Sequence, residues 1–219
     1  MTTYRLAVVS AGLSKPSATR LLADRLTEAT RRHLAEAGAE LNVTVTELRE
    51  LATDIAGNMV TGFPAPALRE AIQAVTGADG VIAVTPVFSA SYSGLFKSFF
   101  DVIEPDALTG TPVLLGATGG TARHSLALEH AMRPLFVYLR ATVVPTAVFA
   151  AAEDWGGNGD PLTDTLPTRV DRAGRELAAL LRLSGTGEGT SEGAGRGNAA
   201  AVEETVIPFE QQLAALRPH

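Results

Sequence analysis

The chain has 219 residues, 46% hydrophobic and 19% charged, with a formal net charge of −6; this balance suits one globular domain plus a short appendage. An acidic surplus leaves no basic stripe to displace counterions from a nucleic acid. Cysteine is absent, which removes disulfides, thiolate metal sites and cysteine nucleophiles.

Taken in chain order, apolar strand-like runs alternate with longer helical patterns. "YRLAVVS" (4–10) reads as a short buried strand. The apolar run at the start is too short for a signal peptide, and no segment approaches the length of a membrane helix, so a cytoplasmic protein is expected. In "SATRLLADRLTEATRRHLAEAG", Leu21, Leu22, Leu26 and Leu34 recur at helical spacing and Gly38 supplies a stop. "LNVTVTEL" (41–48) alternates with period two, "PALREAIQAVTGA" (66–78) predicts a helix, and "DGVIAVT" (79–85) a fully buried strand. "SGLFKSFFDVI" (93–103) places Leu95, Phe96, Phe99 and Val102 on one helix face. A strand at 111–118, a long helix over 122–140, a fifth strand at 142–149 and a helix over about 164–183 complete the pattern.

Five strands alternating with helices predict a parallel sheet covered on both faces, since right-handed crossovers leave few alternatives. The expected architecture is a three-layer flavodoxin-like α/β fold with strand order 2-1-3-4-5, spanning residues 1–184. Residues 185–200, "GTGEGTSEGAGRGNAA", read as a Gly-rich flexible linker. Residues 201–219 regain an apolar pattern through Val206, Ile207, Phe209, Leu213 and Leu216. A helix that short must dock to be stable, on its own domain or on a neighbouring subunit.

Ligands of such folds lie outside the carboxyl ends of the strands. Three segments should meet there: "SAGLSKPSAT", "TPVFSASYSG" and "GATGGTAR". Ser10, Ser14, Ser17 and Thr19 in the first suit an anion site at a helix start, or equally a plain cap at Ser17. In the second, Phe88 and Tyr92 offer faces to a flat ring and Ser89, Ser91 and Ser93 offer polar contacts; alternatively Phe88 packs in the core and the serines cap a helix. In the third, Gly119-Gly120 permits close backbone approach, or merely turns the chain before Thr121. Neither a Walker A loop nor G-x-G-x-x-G occurs. Three such loops on one edge favour a flat, phosphorylated ligand.

These segments resemble the NADPH-dependent FMN reductase family, particularly the branch partnered with luciferase-like or alkanesulfonate monooxygenases. "TPVFSASYSGLFKSFFD" is similar to its Thr-Pro-x-aromatic, Ser-Tyr-Ser-Gly and Lys-x-Phe-x-Asp segment, and "GATGGTARHSLALEHAMRPLF" to its Gly-Gly loop and following helix. "SAGLSKPSATRLLAD" is similar to the phosphate loop more loosely, without the Gly-Ser-Pro opening of many members. The resemblance covers residues 4 to about 150. It implies that Ser10, Ser14, Ser17, Ala18 and Thr19 hold the FMN phosphate, that Pro86, Val87, Phe88 and Ser89 hold the ring, and that Thr118, Gly119 and Gly120 lie along its other side. It also implies NADPH or NADH as reductant, a homodimer or homotetramer, a flavin-dependent monooxygenase as partner, and no catalytic acid, base or metal, because hydride transfer is carried by the cofactors.

His33, on a charged helix, and His219, at the terminus, read as solvated residues. His124 and His130 share one predicted helix at a spacing unsuited to joint metal ligation. The resemblance places His130 where some members carry Tyr in a π-bulged segment at a subunit interface. A quinone or azo reductase with bound FMN, and a flavodoxin-like electron carrier, are the rival readings.

Overall fold

A computed structural model describes residues 2–156 and 164–185. β1 (Thr3–Ser10) is an interior strand of its sheet, where Leu6 to Val9 are 0–2% exposed. An apolar run of that kind can be buried on both faces, and it is: β2 (Glu40–Glu47) pairs with it in parallel on one side and β3 (Gly80–Phe88) on the other. β3 then pairs in parallel with β5 (Pro112–Gly119). β4 (Ser91–Tyr92) folds back antiparallel on the end of β3.

The expected parallel order is present, with one refinement. The fifth strand expected over 142–149 is two short ones, β6 (Thr142–Val143) beside the start of β5 and β7 (Val148–Ala151) beside its end. Between them Pro145 has no N–H for a ladder. Side chains hold the excursion instead: Arg133 donates to the carbonyls of Val144 (3.2 Å) and Pro145 (3.1 Å), and the Glu176 carboxylate accepts from the amide (2.8 Å) and hydroxyl (2.9 Å) of Thr146. The sheet thus has seven strands among the described residues.

α1 (Ala18–Glu36) and α6 (Leu166–Gly185) cover one face; α3 (Pro66–Thr76), α4 (Gly94–Asp101) and α5 (Arg133–Tyr138) cover the other, together with α2 (Ala52–Thr61). Leu22, Leu26 and Leu34 of α1 pack on Val8, Ile82 and Leu114 of the sheet, each contributing roughly 1.5–3 kcal/mol by burial. Gly174 of α6 sits hard against α1: a Cβ there would lie 2.6 Å from Ala29 Cβ and 2.8 Å from the Thr30 amide nitrogen.

The periodicity did not reveal α2, because Ile55 is its one buried residue while Met59 and Val60 are exposed. The helix expected over 122–140 is also not continuous. A 3-10 turn (Ala122–His124) leads to a π-helix (Leu128–Met132) and only then to α5. Pro134 cannot donate to the carbonyl four residues back, and at this point the ladder widens: the Arg133 amide bonds to Leu128 O, five residues back. His130 lies inside that π-helix, exposed. His33 is not the solvated residue expected. Its side chain is 16% exposed, with Nδ1 at 3.1 Å from Glu36 and Nε2 at 2.9 Å from Asp171 of α6. Gly185, expected to open the Gly-rich linker, instead ends α6; residues 186–200 of that linker, the 201–219 tail and His219 lie outside the described residues.

Candidate active site

Ladder register brings the three strand ends together. Ser10 of β1 lies opposite Val84 of β3, and Pro86 of β3 lies opposite Thr118 of β5. The loops leaving these strands therefore share the carboxyl edge of the sheet.

The first loop folds tightly onto the start of α1. Ser17 is the N-cap, with its Oγ accepting from the Arg20 amide (3.2 Å), and the Leu21 amide bonds to the Ser17 carbonyl. Of the four N–H groups that a helix start leaves without intrahelical acceptors, those of Ala18 and Thr19 have no acceptor among the described residues. A Cβ on Gly12 would stand 2.0 Å from Ser17 Oγ, so only glycine permits this approach. Ser10 is 1% exposed, and its hydroxyl has no hydrogen-bond partner among the described residues. An orphaned buried hydroxyl at the foot of a helix mouth is costly unless a ligand completes it.

Ionic contacts that no local pattern announces hold this loop. Glu47, at the end of β2, takes Arg20 on one carboxylate oxygen (2.8 Å) and Arg49 on the other (2.6 Å). Arg49 also donates to the carbonyl of Ser14 (2.9 Å), whose side chain is exposed. The hydrogen bond to Asp24, with Glu47 beside it, holds Arg20 above its ordinary pKa against the opposing effect of burial. Arg20, Glu47 and Arg49 thus act as a clamp on the loop.

The second loop is a hairpin. Its two tip residues, Ser89 and Ala90, have φ of 48° and 66°, the left-handed pair that a two-residue turn between twisted strands demands. Neither residue is glycine, so the turn is held at a cost of about 1–2 kcal/mol each. Thr85 Oγ1 fixes its base, accepting from the Ser93 amide (3.0 Å) and donating to the Pro86 carbonyl (2.9 Å). Ser93 caps α4, as the plainer alternative held. Phe88, however, is 48% exposed and not in the core. Pro86 and Val87 are half-buried, Ser89 is exposed, and Tyr92 is half-buried against Phe96 with ring centroids 5.9 Å apart.

In the third loop the two glycines differ. A Cβ on Gly119 would lie 2.8 Å from the Phe149 ring, whereas one on Gly120 would meet no atom within 4 Å. Thr118, 6% exposed, points its hydroxyl across to Thr19, 3% exposed, at 2.9 Å. This bond joins the first loop to the third.

The donors fit a phosphorylated flavin. Open amides, Ser17 and the unpartnered Ser10 hydroxyl gather at a helix N-terminus, where the dipole favours a dianion. Exposed Phe88 and the open space at Gly120 suit a flat ring. A groove of about 570 Å³ runs between α4 and the π-helix–α5 segment, lined by Phe100, Ile103, His130, Pro134 and Tyr138. Its charged members Lys97 and Asp101 pair with each other, so it offers no comparable set of anion donors. Beside it, Arg133 holds the Glu129 carboxyl below the usual carboxylate range through its hydrogen bonds, with burial opposing.

The model of a family described as NADPH-dependent FMN reductase matches residues 4–156. An FMN reductase (NADPH) of Pseudomonas aeruginosa is 34% identical over 180 residues, covering 81% of this chain and 92% of that protein. An NADH-dependent FMN reductase of Pseudomonas fluorescens is 35% identical over 190 residues, covering 82% and 97%. The solved structure of an oxidoreductase from Corynebacterium diphtheriae is 47% identical, covers 84% of this chain and 99% of that one, and superposes with a TM-score of 0.79.

Proposed function

We propose a function from the premise that this chain belongs to the NADPH-dependent FMN reductase family. It is an NAD(P)H:FMN oxidoreductase, and the flavin, when bound, supplies the hydride-accepting chemistry. The chain's own task is to bind and orient. Ser10, Ser14, Ser17, Ala18 and Thr19 hold the phosphate; Pro86, Val87, Phe88 and Ser89 flank the ring; Thr118, Gly119 and Gly120 line its opposite edge and leave room for the nicotinamide at near-attack distance.

One observation carries this assignment: the buried Ser10 hydroxyl, without a partner among the described residues, ends β1 at the edge where the loop to α1 begins and where Gly120 has no described atom near its Cβ position. The enzyme releases reduced flavin to a flavin-dependent monooxygenase, the partner that the resemblance of its three loops implies. It works in the cytoplasm, where NAD(P)H is generated, as a homodimer or homotetramer.

The spectrum and turnover of the purified protein test the exchange of flavin. Protein that is largely colourless and oxidises NADPH or NADH only when FMN is added fits the proposal. Protein that retains a yellow flavin and passes electrons to quinones or azo dyes would make flavin a resident group. Yellow protein without NAD(P)H turnover would make it a carrier.

A further inference from the structure

The Thr19–Thr118 contact joins residues 99 positions apart in the chain and is buried at both ends. Each threonine hydroxyl offers one hydrogen and two lone pairs. A single bond between two hydroxyls uses one hydrogen and leaves the other without an acceptor; among the described residues no third partner is present. Burial keeps solvent from supplying one, and an unmade bond there is expensive.

The direction of the bond decides where the spare hydrogen goes. If Thr118 donates to Thr19, the free hydrogen belongs to Thr19. That residue stands in the first turn of α1, beside the open amides and the Ser17 cap. Its hydrogen then points to whatever anion completes the helix mouth. If Thr19 donates, the hydrogen is spent between the loops. A dianion at the mouth selects the first arrangement, because a hydroxyl that accepts one bond donates a stronger one.

We infer that Thr118, although it belongs to the loop along the flavin ring, is a positioning residue for the phosphate end of FMN and acts through the Thr19 hydroxyl. This rests on the FMN reading above. It makes the two ends of the site interdependent: a substitution on the ring side weakens recognition of a group on the phosphate side.

Comparing FMN with riboflavin, which has the same ring and no phosphate, separates this from a structural role. The readout is the preference, kcat/KM for FMN divided by kcat/KM for riboflavin, in which any shared damage to the ring loop cancels. Thr118→Val should lower the preference about tenfold, because the Thr19 hydroxyl, no longer held, fails to meet the phosphate and one buried hydrogen bond to it is lost. Thr118→Ser should restore it. In a Thr19→Val background, Thr118→Val should lower it no further. Thermal melts identify folded variants, and Thr118→Ala replaces the valine variant if that one fails to fold. An unchanged preference in Thr118→Val while Ser17→Asp lowers it would overturn the inference and leave the FMN site standing. An unchanged preference in both would overturn the phosphate assignment itself.

Discussion

Gly120→Val separates the ligand's space from the protein's. No atom lies within 4 Å of a Cβ built at Gly120, and its φ is outside the left-handed region. The substitution therefore meets no steric obstacle among the described residues, and stability should change by no more than about 0.5 kcal/mol, the range for surface sites. If the ring edge occupies that space, the valine methyls displace it. A shift of about 1 Å from near-attack geometry costs about a hundredfold in rate. Steady-state NADPH oxidation with FMN varied should show kcat/KM for FMN falling by that order, while the thermal midpoint stays at the wild-type value. Gly119→Ala is the control: its Cβ would press on the Phe149 ring in the core at 2.8 Å, an overpacking worth about 1–3 kcal/mol, and its midpoint should drop. Normal kcat with normal KM for both substrates in Gly120→Val would remove this loop from the flavin site. Activity loss accompanied by a drop in midpoint as large as that of Gly119→Ala would assign the loss to folding.

Gly174→Ala should destabilise despite the helix propensity gain of about 1 kcal/mol, because the new methyl meets backbone of α1 at Ala29 and Thr30; a rise in the unfolding midpoint would contradict the packing described. The depressed Glu129 carboxyl contributes stability that is complete above its unfolded pKa, about 4.3, and is lost as pH falls through the lower folded value. Urea unfolding at a series of pH values should accordingly show a shallower loss below about pH 5 in Glu129→Gln than in wild type, and parallel curves would refute it. Removal of residues 186–219 should weaken the proposed homo-oligomer, since five apolar side chains in the tail sequence contribute roughly 1.5–3 kcal/mol each when buried, before ordering costs. Light scattering over a dilution series with an unchanged dissociation midpoint would place the tail's role elsewhere.

The layers, the parallel order and the edge shared by the three loops are legible in the sequence because apolar runs and helical periodicity are local signals. Ser17 as a cap and Gly119-Gly120 at a strand end belong to the same class of signal. The Arg20–Glu47 pair, the Arg49–Ser14 bond and the Thr19–Thr118 bond are not, since they join residues brought close only by the crossovers of the sheet. The π-helix around His130 depends on where the ladder widens before Pro134, which periodicity over 122–140 averages away. The split of the last strand was partly announced by Pro145, but its anchors, Arg133 and Glu176, lie on separate helical segments. Phe88 could be read either way from the sequence because an aromatic residue at a strand end packs inward or outward depending on the turn, and the turn here uses Ser and Ala where glycine would have signalled it.

A crystal structure with FMN bound tests the central assignment most directly. The phosphate should lie at the N-terminus of α1, within hydrogen-bond distance of the Ser17 hydroxyl and the Ala18 and Thr19 amides, with the Ser10 hydroxyl no longer unpartnered. The ring should lie between Phe88 and Gly120. Flavin seated instead in the groove between α4 and α5, against His130 and Pro134, would contradict the account.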